Sequence, residues 1–475
     1  MKARLSFMLS FSEKYTLLVV NTVSAMVLAR WLTPEAVGVY AIGAVLVGLV
    51  QVLRDFGVGA YVIQEKTLDR DKLRAALGVN MLIAWPLALL VLAGSYPAAW
   101  FYHEPRLRMV LQLLAINFLL VPFSAVALPY LRRLMRFRAV FAINVSQCAV
   151  QAACSMLLAM HGWGYLSLAV GAVAGAVATV LTTLCCRPGD LPWLPSLRGA
   201  RKILSFGAVS TAGTLIDEAG VAAPDLIIGK MTGVAEVGIY GKAMGVINVF
   251  NQLVTAAISP VIFPLFSAQA RAGDDLRQAY LTTVSHMTAL SLPFFGFIAL
   301  MAQPLVRLLY GDQWDAAVPV IRVMCIGSAV YSLFSMARYL FVAMGEVRAQ
   351  ARLDTLAVPV RVLAVLAAAP FGLHWIAWAV VAGALFRSGL TYAYLHELTG
   401  LQLRDLAAAS WRSALAASVA LGGAAAMWLG DRDGLLLWPA LICFLFWLAT
   451  MRALRHALAD ECTMAARKAL ALLHR

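Results

Sequence analysis

The chain has 475 residues, of which 62% are apolar and only 13% charged, and its mean hydropathy is strongly positive. That composition excludes a single water-soluble core, because too little polar surface remains to cover it. The net charge of +14 raises nucleic acid as a partner, but the charges alternate with apolar runs along the chain and form no single basic face, so no nucleic-acid role is expected.

Apolar runs long enough to cross a bilayer recur from Tyr15 to Thr450, with short stretches of Gly, Pro and charge between them. A helical span needs about 20 residues, and the pattern predicts fourteen. The runs are continuous and lack the period-2 alternation of an outer-membrane barrel, so they are predicted to be helices whose backbone hydrogen bonds close internally. The expected fold class is an all-α polytopic membrane protein. Lys2, Arg4 and Lys14 precede the first span, and no small-residue cleavage site follows a short apolar region, so no cleavable signal peptide is expected.

Helix one ends at Arg30, and the turn that follows opens the second helix with "LTPEAVGVYAIG" from Leu32 to Gly43. The same Val-Gly-x-Tyr pattern returns as "TGVAEVGIYGKA" from Thr232 to Ala243, an offset of 200 that continues to Gln51 and Asn251. A longer stretch from Leu111 aligns without a gap to one from Ile321, matching Ile116 with Ile326, Ala127 with Ala337 and Arg138-Ala139 with Arg348-Ala349. The chain therefore reads as two six-helix repeats plus an extra helix pair. An offset covering six spans makes the repeats parallel, and parallel repeats place a binding site between halves that rock in alternating access. The expected divisions are residues 1–186 for the first bundle, 187–202 for a linker, 203–396 for the second bundle, 397–450 for helices thirteen and fourteen, and 451–475 for a basic tail.

With the N-terminus inside, 27 of the 38 basic residues fall on one side, in clusters such as Lys66 to Arg74, Arg132 to Arg138 and Arg187 to Lys202. The positive-inside rule then places both termini in the cytoplasm. Pro86, Pro122, Pro129, Pro260, Pro264, Pro293 and Pro359 fall inside predicted spans, where each removes a helical hydrogen bond and permits a kink. The seven cysteines show no metal-ligand spacing and read as helix packing.

Charges that remain within spans are candidates for a water-filled pathway. Helix seven carries Asp217, Glu218 and Asp225, with Pro224 beside the last, and these three carboxylates are the ion-coupling candidates. Lys242 follows in helix eight, with a stripe of Asn248, Asn251, Gln252, Thr255 and Ser259 spaced by three or four. Arg30, Arg54, Arg322, Arg338, Arg361 and Arg387 complete the cationic set. The competing reading of Arg30 and Arg54 is snorkelling to the interface, and Arg54 can also pair with Asp55. An excess of arginine over carboxylate favours an anionic passenger, since guanidinium matches phosphate oxygens in bidentate geometry. The substrate-binding set is thus Arg30, Arg54, Lys242, Asn251, Gln252, Arg322, Arg338, Arg361 and Arg387. No catalytic residue, metal or cofactor is expected, because no nucleophile–base pair, metal cluster or phosphate-cradling glycine loop appears.

The runs "ARWLTPEAVGVYAIGAVLVGLVQVLRDFGVGAYVIQEK", "PDLIIGKMTGVAEVGIYGKAMGVINVFNQLVTAAISPVIFPLFSAQ" and "LLYGDQWDAAVPVIRVMCIG" resemble bacterial polysaccharide flippases. These form the oligosaccharide-lipid branch of the multidrug, oligosaccharidyl-lipid and polysaccharide exporter superfamily. The resemblance implies an inner-membrane protein that flips an undecaprenyl-diphosphate-linked oligosaccharide to the periplasmic leaflet for lipopolysaccharide, capsule or exopolysaccharide. Asp225 and Lys230 match the family's "D-x-x-I-G-K" stretch, and the "IDEAG" acids depart from it. Its partners would be the lipid-linked oligosaccharide, membrane lipids and other polysaccharide-assembly proteins, with the chain itself a monomer. Alternatives are a lipid II flippase or a multidrug exporter of the same superfamily. A drug exporter is disfavoured by the arginines and the extra helix pair. A membrane glycan polymerase or ligase would need a larger outer loop than the stretch from Gln303 to Pro319.

Overall fold

The computed structural model describes residues 2–430 and 436–458. Most of the basic tail, residues 459–475, lies outside the described residues. Within them the chain is helical, with no strand. It divides into two compact units, Met1–Gly241 and Lys242–Arg475.

The first unit runs through α1 (Lys2–Trp31), α2 (Pro34–Asp55), α3 (Val58–Gln64), α4 (Arg70–Tyr102), α5 (Pro105–Leu120), α6 (Pro122–Ala125), α7 (Ala127–Arg133), α8 (Phe137–Met160), α9 (Tyr165–Cys185) and α10 (Ala200–Met231). The division falls inside α11 (Val234–Phe250), which passes into a π-helical turn at Asn251–Thr255. The second unit continues with α12 (Ala256–Ala272), α13 (Leu276–Leu300), α14 (Ala302–Leu309), α15 (Ala317–Ser332), α16 (Ala337–Ala343), α17 (Val347–Ala368), α18 (Leu373–Thr399), α19 (Leu403–Gly430) and α20 (Leu437–Ala453).

Helix bounds repeat as the sequence offsets predict. The helices α1 and α10 end at Trp31 and Met231, α2 and α11 begin at Pro34 and Val234, and α7 and α16 run Ala127–Arg133 and Ala337–Ala343. Both repeats also break a span at the corresponding place, between α5 and α7 and between α15 and α16. One consequence is that Arg322 and Arg338 lie on either side of the turn at residues 333–336.

Among the described residues nine helical segments are long and apolar enough to cross a membrane, or eleven if each of two bent pairs is one span. Outside that count stand α1 with Glu13 and Lys14, α10 with its three acids and Lys230, and α20 with 17 residues. With these three, fourteen spans are consistent with the structure.

Local chemistry explains where the helices start. The side chains of Thr33, Asp69 and Asp275 accept hydrogen bonds from the backbone N–H groups of Ala36 at 3.2 Å, Lys72 at 2.8 Å and Arg277 at 2.9 Å. Each satisfies a donor that has no partner inside its helix. Glu104 caps α5 and is buried; hydrogen bonds from Arg106, at 2.7 Å to each carboxylate oxygen, hold its carboxyl below the usual carboxylate range.

The repeated glycine has a structural cause. A Cβ on Gly38 would lie 1.6 Å from the carbonyl oxygen of Val234, and one on Gly238 would lie 2.1 Å from the carbonyl oxygen of Pro34. Pro34 and Val234 are themselves related by the offset of 200, so the contact is reciprocal, as a local two-fold relation requires. Only glycine allows the two backbones to come this close.

The segment from Arg187 to Gly199 is clamped to the first unit. Arg187 donates to the carbonyls of Leu191 and Pro192 and lies 3.6 Å from the Trp193 ring centroid, while Tyr130 donates to Asp190. That hydrogen bond holds the Asp190 carboxyl below its ordinary value. In the second unit the extra pair, α19 and α20, is tied to α13 through Trp447, which donates to the carbonyl of Ala289 at 2.9 Å, and through Ser413, which donates to the carbonyl of Ser285 at 3.2 Å.

Candidate functional site

The first unit holds a polar cavity of about 590 Å³ inside otherwise apolar helices. Small-molecule sites have volumes of about 300–1,000 Å³. Gln51 and Arg54, three apart on α2, share the face that reaches it, as do Gln147 and Gln151, four apart on α8. Asn80 arrives from α4, Asn117 from α5, Ser124 from α6, Arg132 from α7 and Thr179 from α9.

The cavity persists because backbone features hold it open. The span from Pro105 to Arg133 bends by 41° where α5 gives way to α6. Pro122 brings no N–H to this break, and residues on both its sides line the cavity. Broken helices at membrane depth are tolerated where they face protein or a wet cavity. To the same lining α9 contributes only Ala172, Ala176 and Thr179. Gly171 and Gly175 bring α9 close to α8; a Cβ on Gly171 would lie 1.9 Å from the Ser155 hydroxyl, and one on Gly175 would lie 3.0 Å from the Gln151 Cβ.

Of the two cations that line this site, Arg54 and Arg132, Arg54 is the more buried. Its guanidinium donates to Asp55 at 2.6 Å and lies 5.7 Å from the Phe118 ring centroid, with its side chain 13% exposed against 69% for Asp55. The aspartate thus remains largely in solvent while the guanidinium is drawn inward. The hydroxyls of Thr179 and Ser124 donate to the carbonyls of Gly175 and Val121. The side-chain carbonyl oxygens of Asn80 and Asn117 are buried and meet no partner. Such unmet acceptors are costly in a folded protein.

Of the nine substrate-binding residues expected from sequence, Arg54 alone lines this cavity. Arg30, at the end of α1, is exposed, as are Arg322 and Arg338. Asn251 and Gln252 are exposed on the π-helical turn, where Thr255 donates to Asn251 at 3.3 Å. Lys242 belongs to the second unit and sits over the rings of Tyr310 and Trp314, at 4.9 and 5.2 Å. Arg361 is half-buried against Gly383, whose added Cβ would lie 3.0 Å from the arginine Cβ. Arg387 donates to Asp354 at 2.6 Å, and Gln350 donates to the same carboxylate at 2.8 Å. Of the three acids on α10, Asp217 and Asp225 are half-buried and Glu218 is exposed.

Sequence reasoning missed Asn80, Asn117, Gln147, Gln151 and Asp354. The expected set is weighted to charge, and its uncharged members come only from the stripe on helix eight. The three- and four-residue spacings of Gln51 with Arg54 and Gln147 with Gln151 were the available signal. Asp354 could have been sought as the counter-charge to an arginine within the membrane.

Comparisons with known proteins agree with this architecture. A family model described as "Polysaccharide biosynthesis protein" matches residues 27–319. The teichuronic acid biosynthesis protein TuaB of Bacillus subtilis (strain 168) is 23% identical over 289 residues, 58% of this chain and 58% of TuaB. The succinoglycan biosynthesis transport protein ExoT of Rhizobium meliloti (strain 1021) is 22% identical over 308 residues, 65% of this chain and 62% of ExoT. The aligned part is thus less than two thirds of either relative. In three dimensions the chain superposes on the lipid II flippase MurJ in its inward closed conformation with a TM-score of 0.76, covering 95% of this chain and 99% of MurJ at 12% identity, a likeness of fold. With 293 consecutive residues spanned by that family model, well over half its length, the chain belongs to the polysaccharide biosynthesis protein family.

Proposed function

We propose that this protein translocates an undecaprenyl-diphosphate-linked oligosaccharide from the cytoplasmic to the periplasmic leaflet of a bacterial inner membrane, by alternating access, for lipopolysaccharide or exopolysaccharide assembly. The observation that carries the reading is the polar cavity in the first unit, rimmed by Arg54 and Arg132 and walled by amides. A purely structural bundle has no use for such a polar space, whereas a carrier of a polar headgroup requires one. Family membership, ExoT's description as a transport protein and the MurJ-like fold support it.

In this reading both termini are cytoplasmic, the two six-helix repeats are the moving bodies, and Asp217, Glu218 and Asp225 are the groups to examine for ion coupling. The chain works as a monomer alongside other polysaccharide-assembly proteins. It acts as a carrier and makes or breaks no covalent bond.

Reconstitution tests the proposal. Vesicles containing the purified chain and lipid-linked glycan extracted from the source bacterium are exposed to a membrane-impermeant glycosidase. The expected result is cleavage of most of the glycan with the protein present and of only the initially exposed leaflet without it. Equal cleavage in protein-free vesicles would overturn the reading.

A further inference from the structure

We propose that α4 and residues 195–197 of the segment before α10 form a binding site for an anionic glycerophospholipid of the bilayer, with one fatty-acyl chain in the apolar groove between them and the phosphate against Arg74 and Arg198. Such a lipid is bound independently of any cargo.

The groove has a volume of about 500 Å³. Small-molecule sites have about 300–1,000 Å³, and a partner's spanning helix of about 20 residues is far too large for it. Its walls are Met81, Leu82, Trp85 and Leu89 from α4, and Pro195 and Leu197 from the segment that follows α9. Ser196 is the one polar side chain among the nine lining residues, and its hydroxyl already accepts from the Arg198 N–H at 3.2 Å. The lining thus selects hydrocarbon. Gly78 permits the join, since a Cβ there would lie 2.3 Å from the Ser196 carbonyl oxygen. The segment's own polar backbone is met by Arg74, whose carbonyl accepts from the Ser196 N–H at 3.0 Å and whose guanidinium donates to the Leu194 carbonyl at 3.3 Å. Irregular backbone beside lipid requires such partners.

Geometry sets the chain length, and charge sets the headgroup. Arg74, Gly78, Leu82, Trp85 and Leu89 are spaced by four, four, three and four, a single stripe on α4 with its cation at one end. From Gly78 to Leu89 the stripe rises about 17 Å at 1.5 Å per residue, close to the depth of one leaflet, half of about 30 Å. Three cations stand at the charged end: Arg74 on the Leu194 carbonyl, Arg187 at 3.6 Å from the Trp193 ring centroid, and Arg198 directly after Leu197. Asp71 lies 4.0 Å from Arg74 with its side chain 88% exposed, so solvent screens it and the guanidinium remains open to a phosphate. Trp193 and Leu194 are 66% and 70% exposed, as side chains at a membrane interface are. The groove shares no lining residue with the polar cavity, and Asn80, which lines that cavity, stands about 180° around α4 from Leu82 and Leu89. A lipid resident in the bilayer therefore fits the groove, whereas cargo in the polar cavity meets the other side of the helix.

The test uses the purified full-length chain in phosphatidylcholine nanodiscs that contain a small share of phosphatidylglycerol with a photoactivatable diazirine in one acyl chain. Peptide mapping after irradiation is expected to find adducts concentrated on residues 81–89 and 195–197. Leu82→Trp and Leu89→Trp fill the groove from positions 51% and 67% exposed, so the core is untouched. Each should lower that labelling by about ten-fold, the equivalent of about two buried methylene groups. The same change at Leu90, exposed on α4 but outside the groove, should leave it unchanged. Arg74→Gln/Arg198→Gln should lower labelling by phosphatidylglycerol by about ten-fold and leave labelling by equally tagged phosphatidylcholine unchanged. Should one tryptophan variant fail to fold, the other decides, and Arg198→Gln alone, with about a five-fold loss, stands in for the double variant.

Adducts spread evenly over the lipid-facing helices, wild-type labelling in the folded tryptophan variants, or equal labelling by the two headgroups would overturn the site. Unlabelled phosphatidylglycerol is expected to displace the probe better than undecaprenyl phosphate does. The reverse order would also overturn the proposal, by giving the groove to a polyprenyl tail.

Discussion

A methyl group on Gly38 would lie 1.6 Å from a backbone oxygen, and backbone cannot rotate aside as a side chain can. Gly48, on the same helix, has nothing within 4 Å of an added Cβ. The two glycines therefore predict opposite outcomes for the same substitution. Gly38→Ala should destabilise the protein by about 1–3 kcal/mol, as overpacking does, and Gly48→Ala should stabilise it by about 0.5–1 kcal/mol through helix propensity. Thermal unfolding of the two variants in one detergent checks this; a Gly38→Ala protein as stable as wild type would show that the seam yields. Sequence marked Gly38 and Gly238 as equivalent, but it could not say that each meets the other's turn, because a repeat records common ancestry of segments and says nothing of which surfaces touch.

The helix pair α17 and α18 carries an ion pair in a predicted membrane region. Arg387 and Asp354 meet at 2.6 Å with side-chain exposures of 29% and 16%, and Gln350 supports the carboxylate. Partly sheltered pairs are worth more as partners than as a sum, since removing one leaves the other charge without compensation. Asp354→Leu alone should cost about 1–3 kcal/mol of stability, below the deeply buried range because solvent reaches both groups. The double variant Asp354→Leu/Arg387→Leu should recover most of that loss, which a double-mutant cycle by chemical denaturation measures directly. Additive losses would show that the two groups act independently. Arg387 was legible as an anion-binding candidate from its position in an apolar run; its engagement with Asp354, 33 residues earlier, required two antiparallel helices to come into register.

For the molecule as a carrier, the passenger's charge sets the energetics. Each negative charge moved outward across an inside-negative membrane gains about 2.3 kcal/mol per 100 mV, so a doubly charged diphosphate gains about twice that. In vesicles oriented as in the cell, an inside-negative potassium diffusion potential should accelerate outward movement of lipid-linked glycan, and a reversed potential should slow it. Rates indifferent to the potential would show that co-transported positive charge cancels the diphosphate, and the acids on α10 would then become the first groups to replace.

Composition and periodicity by themselves determined that the chain is a helical membrane protein built from two related six-helix runs and a final pair. These are one-dimensional properties: burial in hydrocarbon demands long apolar runs, and descent from a common half leaves a constant offset. Tertiary structure alone decided which polar groups meet. It gathered Gln51, Arg54, Asn80, Asn117, Gln147 and Gln151 from four helices around one cavity, and it laid Lys242 over Tyr310 and Trp314. The reason is geometric: helical spacing states which residues share a face, but a face acquires chemistry only from what packs opposite it.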